Sequence, residues 1–233
     1  MSGDSRALLA EAVGTFWFIF IGAGAIIADA NGSGGGLLSI ALANGLALAV
    51  AVSAFGGLSG AHFNPAMTLA LAIIGRHPWS RVPTYWIAQL AGGLLAGVAL
   101  RSVFDYALVA IDKTHLGTTA LANGVSVPVG IGLEAILTIF LVWAVYGTVV
   151  SPLAPRIAGF GIGLTVATGI LMGGPLTGAA MNPARHVATA VPAVFFDNWY
   201  VYWIGPLLGA AIAALSIRYV FAPRPDLATP VTS

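Results

Sequence analysis

The fold is decided by a segment that occurs twice, as Gly60-Ala61-His62-Phe63-Asn64-Pro65-Ala66 and, 118 residues later, as Gly178-Ala179-Ala180-Met181-Asn182-Pro183-Ala184. Asn followed by Pro favours a helix start, because Asn caps a helix N-terminus and Pro has a preset φ and no N–H to satisfy. The helices predicted after the two motifs, over residues 65–74 and 183–191, are apolar yet too short to cross a bilayer. We therefore predict two re-entrant half-helices, which enter the membrane and end inside it.

The rest of the chain has the composition of a membrane protein. Of its 233 residues, 58% are hydrophobic and 7% are charged, against about 25% charged in an average soluble protein. Apolar runs near the length of about 20 residues that a bilayer requires predict six transmembrane helices, over residues 8–28, 36–56, 83–104, 127–150, 157–172 and 199–221. The first run is too long for a signal peptide and lacks a cleavage site, so we expect it in the mature protein.

Two further matches extend the repeat beyond the motif. Tyr85-Trp86-Ile87-Ala88-Gln89 matches Tyr202-Trp203-Ile204-Gly205-Pro206. Likewise, Glu11 and Thr15 match Glu134 and Thr138. The three matches occur in the same order in both halves, and they indicate a duplication that covers about residues 7–104 and 127–221.

The number of crossings sets the relation between the repeats. Each repeat holds three, an odd number, so the second enters the membrane upside down and the shared site is expected near the midplane. We predict an all-α membrane protein with six transmembrane helices plus two re-entrant half-helices in an inverted 3+3 repeat. It forms one domain over residues 1–222, and the polar, Pro-rich segment 223–233 is expected to be a disordered tail.

Several classes of function are excluded or disfavoured. Cysteine is absent, which excludes disulfides and thiolate chemistry, and we expect neither a metal nor a cofactor. A net charge of +1 with scattered arginines gives no basic patch for nucleic acid. The chain has no His-Glu-x-x-His and no Gly-x-Ser-x-Gly motif, so an enzyme is not expected.

Basic residues in the short loops predict the orientation. One side of the membrane would hold Arg6, Arg76, Arg81, Arg156, Arg218 and Arg224, and the other Arg101, Lys113 and Arg185. The richer side is expected to be cytoplasmic. This predicts a multi-pass protein of the cell membrane with both termini in the cytoplasm.

The paired motifs have a specific physical consequence. Two helix N-termini that meet at the midplane each present about half a positive charge, and Asn64 and Asn182 offer amide N–H donors there. A water between them turns its oxygen toward both and cannot pass a proton along the file, while the positive ends repel cations. The predicted function is a passive channel that excludes protons and ions.

Two acidic residues, Glu11 and Glu134, lie within apolar spans, where an ionised group is costly. The favoured interpretation is structural: each buried carboxylate accepts N–H bonds from its own re-entrant loop, whose backbone would otherwise lack partners in lipid. The less favoured alternative is a direct role in carrying protons.

These residues resemble the major intrinsic proteins, which are the aquaporins and aquaglyceroporins. The likeness rests on Glu11 with Thr15, on Ser59 to Thr68, on Gln89, on Glu134, and on Gly178 to Arg185. It implies a homotetramer in the lipid bilayer with one pore per subunit. It also implies that solute is guided by the backbone carbonyls of Gly60, Ala61, His62, Gly178, Ala179 and Ala180.

The resemblance also places a selectivity filter of four side chains on Asn44, Ile170, Ala179 and Arg185. Arg185 matches the family, whereas strict water channels have Phe and His at the first two positions. We expect Asn44 and Arg185 to supply hydrogen-bond donors and Ile170 an apolar wall. A wider aperture would then pass water together with small neutral solutes such as ammonia, hydrogen peroxide or urea, and glycerol less well.

A second group of positions bears on the alternative of a glycerol or metalloid facilitator. Glycerol-conducting members usually have Asp, a basic residue, Pro and an aliphatic residue where this chain has His186, Ala190, Tyr202 and Trp203. Ala190, Tyr202 and Trp203 are similar to the residues of water channels at these positions, which disfavours the facilitator.

Two other hypotheses stay open. A secondary transporter also uses inverted repeats, but it would need coupling acids, and the spans have only Glu11 and Glu134. The other is gating of the pore by titration of His62, His77 or His186, which is less favoured than a role as ordinary loop residues.

Overall fold

The computed structural model describes residues 3–221, and within this range it is helical without strands. The predicted tail, 223–233, lies outside the described residues. The nine α-helices of this part of the chain are α1 Gly3–Ala30, α2 Gly36–Ser59, α3 Pro65–Ile73, α4 Val82–Val103, α5 Leu108–Thr114, α6 Val127–Val145, α7 Phe160–Thr177, α8 Pro183–Ala193 and α9 Val201–Ser216. Helices α6 and α9 each continue into a π-helical turn, at Tyr146–Val150 and Ile217–Phe221.

Six of these helices are long and apolar enough to cross a membrane: α1, α2, α4, α6, α7 and α9. The short helices α3 and α8 follow the two Asn-Pro motifs. The predicted fold class is therefore confirmed, as six spans plus two re-entrant half-helices.

The ends of the helices differ from the prediction. Helix α1 runs from residue 3 to residue 30, beyond the predicted 8–28, because hydropathy marks the hydrocarbon core and a helix can continue into the polar interface. Helix α7 continues through Pro175 to Thr177, past the predicted end at 172. Helix α5 was not predicted, because its seven residues include Asp112 and Lys113 and have no apolar run long enough to indicate a helix.

The two repeats pack in the same way. In each, the first helix contacts the second and the third spanning helix, so that α1 packs on α2 and α4, and α6 on α7 and α9. A Cβ on Gly92 of α4 would lie 2.0 Å from the Ala12 carbonyl oxygen, and one on Gly209 of α9 would lie 2.2 Å from that of Ala135. Both crossings therefore depend on glycine, which lets the two backbones touch.

The half-helices interlock the repeats, since α3 of the first repeat packs on α9 of the second, and α8 packs on α4. With six crossings, both ends of the described chain lie on one face of the membrane, which we call the terminal face. The α7–α8 loop, residues 178–182, enters the protein from the opposite face. The α2–α3 loop, residues 60–64, enters from the terminal face.

Candidate functional site

Each motif asparagine caps its own half-helix. The Oδ1 atom of Asn64 accepts a hydrogen bond from the Ala66 backbone N–H at 2.8 Å, and that of Asn182 accepts from Ala184 at 2.9 Å. Both asparagines have extended backbones, and proline occupies the first helical position in both helices. The Asn-Pro pair therefore starts both helices by the mechanism expected of it.

The amide nitrogens of the same asparagines cross between the repeats. Asn64 Nδ2 donates to the Met181 carbonyl at 2.8 Å, and Asn182 Nδ2 donates to the Phe63 carbonyl at 2.9 Å. The two half-helices consequently begin at one place in the interior, with their N-termini brought together. Each asparagine is 4% exposed, and each amide nitrogen has a second hydrogen that no carbonyl of the described residues accepts.

The loops before the two asparagines have unusual backbones. Ala61, Phe63, Ala179 and Met181 all have φ between 48° and 50°, a left-handed conformation that costs L-residues roughly 1–2 kcal/mol each. Two of the four non-glycine residues in each loop take this conformation, so it must be held by other contacts.

The first loop is held by Glu11. One carboxylate oxygen accepts from the Ser59 hydroxyl at 2.6 Å and from the His62 backbone N–H at 2.9 Å. The other accepts from the Phe63 N–H and from Gln89 Nε2, both at 2.8 Å. The carboxylate is fully buried, and these bonds satisfy backbone donors that would have no partner in lipid.

The second loop is held by Glu134 in the same way. One oxygen accepts from the Thr177 hydroxyl at 2.7 Å and from the Ala180 N–H at 3.0 Å. The other accepts from the Met181 N–H at 2.7 Å. The residue is likewise fully buried.

Two tyrosines fix the points where the loops leave the spanning helices. The Tyr85 hydroxyl donates to the Ser59 carbonyl at 2.8 Å, and the Tyr202 hydroxyl donates to the Thr177 carbonyl at 2.9 Å. Ser59 and Thr177 are the last residues of α2 and α7. Carboxylate and tyrosine thus form an equivalent support for each loop.

A cavity runs between the repeats, and its volume is about 70 Å³, where about 10–15 Å³ is enough to hold one water. The predicted residues that line it are Asn44, Gly60, Ala61, His62, Asn64, Ile170, Gly178, Ala179, Ala180, Asn182 and Arg185. The other predicted residues lie behind this lining, and they are Glu11, Pro65, Ala66, Glu134, Pro183 and Ala184.

Most of the apolar side chains that line the cavity were not predicted from the sequence. Helix α1 contributes Phe18 and Ile26, and helix α6 with its π-helical turn contributes Leu141, Val145 and Val149. These residues are spaced by four or eight, as expected for one face of a helix. The spacing did not identify the pore-lining face, because these helices are apolar on nearly every face.

Arg185 lies in the first turn of α8 and lines the cavity while only 4% exposed. Its Nη1 atom is 3.4 Å from the Thr189 hydroxyl, and no carboxylate within residues 3–221 forms an ion pair with it. A guanidinium has five N–H donors, so most of them are free to face the cavity or nearby carbonyls.

The expected role of Asn44 as a hydrogen-bond donor in the filter is wrong. It was expected to supply donors to the filter, yet its Nδ2 atom donates to the Ile40 carbonyl at 2.8 Å and to the Gly22 carbonyl at 3.2 Å. Both amide hydrogens are therefore used within the protein. Only the acceptor Oδ1 remains for a solute.

The histidines lie in different surroundings. His62 lines the cavity, whereas His186 does not, and its Nδ1 atom lies 2.9 Å from the Thr119 hydroxyl. His77, outside the spans, has its ring 4.8 Å from that of His62. Burial, together with the positive charge of Arg81, lowers the pKa of His77, which keeps it neutral near pH 7. The described residues contain no group of three His, Asp or Glu side chains placed to hold a metal ion.

Comparison with known proteins identifies the family. The model of the family described as "Major intrinsic protein" matches residues 2–217. The chain belongs to this family. Aquaporin TIP4-4 of Zea mays is 43% identical over 92% of the chain and 86% of its own length, and aquaporin TIP2-1 of Arabidopsis thaliana is 40% identical over 93% and 87%. Aquaporin NIP1-3 of Oryza sativa subsp. japonica is 37% identical over 95% of the chain and 76% of its own length.

The fold has a solved counterpart as well. The aquaglyceroporin from Plasmodium falciparum superposes with a TM-score of 0.88, covering 96% of this chain and 99% of that one at 24% identity. At this identity the likeness establishes the fold alone. Together with the family match, it makes the chain a multi-pass membrane channel of the aquaporin family.

Proposed function

We propose that the chain is a passive channel for water and for small neutral solutes such as ammonia, hydrogen peroxide and urea, that it conducts glycerol less well, and that it excludes protons and ions. The observation that supports this most directly is the crossing of Asn64 and Asn182 between the repeats. Their free amide hydrogens and the two helix N-termini meet in the cavity. A water there is held by its oxygen and cannot relay a proton.

The buried acids argue for a channel over a secondary transporter. A coupling acid must gain and lose protons during transport. Glu11 accepts four hydrogen bonds and Glu134 three, and all but one of these seven come from loop backbone or from the hydroxyl at the end of α2 or α7. Protonating either carboxylate would displace donors that have no other partner nearby, which favours a fixed structural role.

A glycerol or metalloid facilitator is the second candidate. The aquaglyceroporin likeness bears on the fold alone, and Tyr202 counts against this candidate. Its hydroxyl anchors the second loop through the Thr177 carbonyl, and the proline that glycerol-conducting members usually have at this place has no such donor.

Stopped-flow light scattering on proteoliposomes tests the proposal. Water, ammonia, urea and glycerol are compared in one preparation, with protein-free vesicles as control, and proton entry is followed with a trapped pH dye. We expect rapid water flux with a low activation energy, solute flux above the control and no added proton leak. Solute uptake that depends on a proton gradient would support the transporter, and glycerol flux that matches urea flux would support the facilitator.

The assembly and the orientation are part of the proposal. We infer a homotetramer in the cell membrane with both termini in the cytoplasm. Because the chain has no cysteine, Ser33→Cys in the α1–α2 loop and Arg156→Cys in the α6–α7 loop give single thiol reporters on opposite faces. An impermeant thiol reagent should label the first from outside the cell and the second only from the cytoplasm. Native mass spectrometry tests the tetramer.

A further inference from the structure

A second cavity lies outside the pore, and we call it the lateral cavity. Its volume is about 320 Å³, which is within the range of small-molecule sites. It is bounded by α8, by the α8–α9 connection and by the first turn of α9. The lining residues are His186, Val187, Ala190, Val191, Phe196, Trp199 and Trp203. None of these seven lines the pore cavity, so the two cavities are separate.

The lateral cavity lies on the lipid-facing side of the protein. Its rim residues Val191, Phe196 and Trp199 are 44–50% exposed. Farther along α9, apolar side chains that are 45–49% exposed recur at intervals of three or four, at Ile204, Leu208, Ile212 and Leu215. Such a stripe on a spanning helix faces lipid. A ligand of the lateral cavity is therefore expected to enter from the bilayer.

One polar atom of the lateral cavity lacks a partner. His186 is 1% exposed, its ring stacks on Tyr202 at 4.2 Å, and its Nδ1 atom lies 2.9 Å from the Thr119 hydroxyl. The Nε2 atom is buried, and no group within residues 3–221 forms a hydrogen bond with it. His186 is four residues from the start of α8 near the midplane, about 6 Å along the helix. At this depth an unpaired polar atom is costly, since lipid offers it no partner.

The chemistry of the lining defines the ligand. A neutral imidazole has one donor and one acceptor nitrogen, and the Thr119 hydroxyl can pair with either form of Nδ1. A hydroxyl group both donates and accepts, so it pairs with Nε2 in both tautomers. The rest of the lining is uncharged, and the rings of Phe196, Trp199 and Trp203 favour a flat aromatic body.

We propose that the lateral cavity binds a compact neutral phenol taken up from the bilayer. The phenol hydroxyl pairs with His186 Nε2, and the ring packs among Phe196, Trp199 and Trp203. Binding satisfies two polar groups that lack partners in hydrocarbon, which favours the phenol over an apolar molecule of the same shape. This ligand site is separate from the pore and goes beyond the proposed channel function.

Bromine quenches tryptophan fluorescence at short range, so Trp199 and Trp203 report binding in proteoliposomes. The probe is 4-bromophenol, and the matched control is 4-bromotoluene, which has the same shape and no hydroxyl. The two are compared at equal concentration in the membrane, with correction for their absorption. We expect saturable quenching by the phenol and only linear, collisional quenching by the toluene.

Two pairs of variants locate the site. His186→Asn keeps a polar group near the place of Nδ1 and removes the one at Nε2, whereas His186→Gln retains a polar group near Nε2. The half-saturating concentration should rise about 3- to 10-fold in His186→Asn, as the loss of one hydrogen bond predicts, and stay near wild type in His186→Gln. Val191→Phe fills the lateral cavity and should abolish saturable quenching. Val194→Phe, the same change at a residue that is 78% exposed and outside the lining, should not.

Every other outcome counts against the proposal. Equal saturable quenching by both probes would mean an apolar groove without a role for the hydroxyl, and linear quenching by both would mean no site. Unchanged binding in His186→Asn would remove His186 from the site. Linear quenching in wild type, together with a smaller assembly of Val191→Phe in native mass spectrometry, would mean that a second copy of the chain covers the lateral cavity. If the His186 variants do not insert, the two valine variants and the two probes decide. Water flux in the same vesicles tests the channel function independently.

Discussion

The two repeats support their loops with unequal numbers of hydrogen bonds. Glu11 accepts four and Glu134 three, and the additional donor in the first repeat is Gln89 Nε2. Its counterpart in the second repeat is Pro206, which has no side-chain donor. Both repeats therefore retain the carboxylate and the backbone donors of the loop, whereas the additional side-chain donor on the third spanning helix is present in the first repeat and absent from the second. The second loop depends more heavily on each remaining bond.

The two repeats also differ in the position of the histidine that packs beside the anchoring tyrosine. In the first repeat His62, in the loop, lies beside Tyr85 with the ring centroids 5.0 Å apart. In the second repeat His186, on the half-helix, stacks on Tyr202 at 4.2 Å. Both rings pack beside the anchoring tyrosine, but they come from different positions of the motif. As a result, among the described residues, only the pore end nearer the terminal face has an imidazole in its lining.

The pore walls contributed by α1 and α6 differ at one point. Leu141 and Val145 of α6, with Val149 of the π-helical turn that follows it, form an unbroken apolar stripe. The equivalent stripe of α1 is interrupted at Gly22 and completed by Asn44. The wall formed by α1 is thereby completed by a polar side chain, whereas the wall formed by α6 is apolar throughout this stripe. Selectivity is accordingly expected at the Asn44 end.

The largest expected difference between the repeats concerns the carboxylates. Each Glu→Gln change sets an NH₂ group against a loop N–H, at a cost of about 1–3 kcal/mol per unsatisfied donor. In Glu11→Gln, the amide of Gln89 can turn and accept from the new NH₂ group with its Oε1 atom, which is buried without a partner. The equivalent residue beside Glu134 is Pro206, which cannot accept from the new NH₂ group. We therefore expect Glu134→Gln to lower the thermal unfolding midpoint more than Glu11→Gln does.

Detergent-solubilised protein, monitored by intrinsic fluorescence during heating, measures this difference. Gln89→Leu is the matched background, since in it the two Glu→Gln variants should become equally destabilised. A larger effect of Glu11→Gln in the wild-type background would contradict the account of Gln89.

The asparagines should behave symmetrically, in contrast to the acids. Asn64→Asp and Asn182→Asp each remove the amide hydrogens that cross to Met181 or Phe63 and place a negative charge at the helix N-termini. We expect water permeability to fall several-fold in both variants, with weaker exclusion of cations. Stopped-flow water flux and sodium and proton leak measure this, and unchanged values in both variants would contradict the proposed site.

Arg185 has no basic counterpart, because the equivalent residue of the first repeat is Met67, and both line the cavity. Arg185→Ala removes the one fixed positive side chain among the described lining residues, and Arg185→Met makes the two repeats alike at this place. Both variants are expected to leak protons or cations more than wild type. Protein that inserts correctly, conducts water and stays as tight to ions would remove Arg185 from the filter.

The residue of the first repeat that is equivalent to Ile170 is Val52, which is smaller and also lines the cavity. Ile170→His adds a ring to the constriction and should suppress urea before it suppresses water, because narrowing acts first on the larger solute. A change of a few fold in the urea-to-water ratio is expected. Ile170→Leu, which keeps volume and polarity, is the control, and equal losses of urea and water in Ile170→His would argue against a filter at this position.

The sequence predicts those parts of the molecule that depend on local chemistry. Hydropathy predicts the six spans, and the Asn-Pro pairs predict where α3 and α8 begin. The limits of prediction appear at Asn44, whose orientation depends on the absence of a side chain at Gly22, on a different helix. They appear again at His186, whose partner Thr119 comes from a loop with no recognisable pattern. Such contacts depend on tertiary packing, and the sequence of one chain gives no signal for them.

The smallest expected effect returns to the symmetry of the repeats. Arg101 Nη1 donates to the Pro192 carbonyl near the end of α8, and Arg218 Nη1 donates to the Ile73 carbonyl at the end of α3, both at 3.1 Å. The two arginines are equivalent in the repeats, and each places a cation at the negative end of a half-helix. Such an interaction contributes about 0.3–1 kcal/mol when exposed, and salt screens it.

Arg101→Gln and Arg218→Gln should therefore lower the unfolding midpoint slightly and equally, and the loss should shrink as salt is raised. Arg156→Gln, in the exposed α6–α7 loop, is the control with the same change of charge and no half-helix beside it. If only one of the two variants is destabilised, or if the loss persists in high salt, the arginines act through packing and not through the helix dipole. Equal and salt-sensitive losses would instead mean that the duplication preserved the electrostatic support of both half-helices at opposite faces of the membrane, even where the pore lining between them diverged.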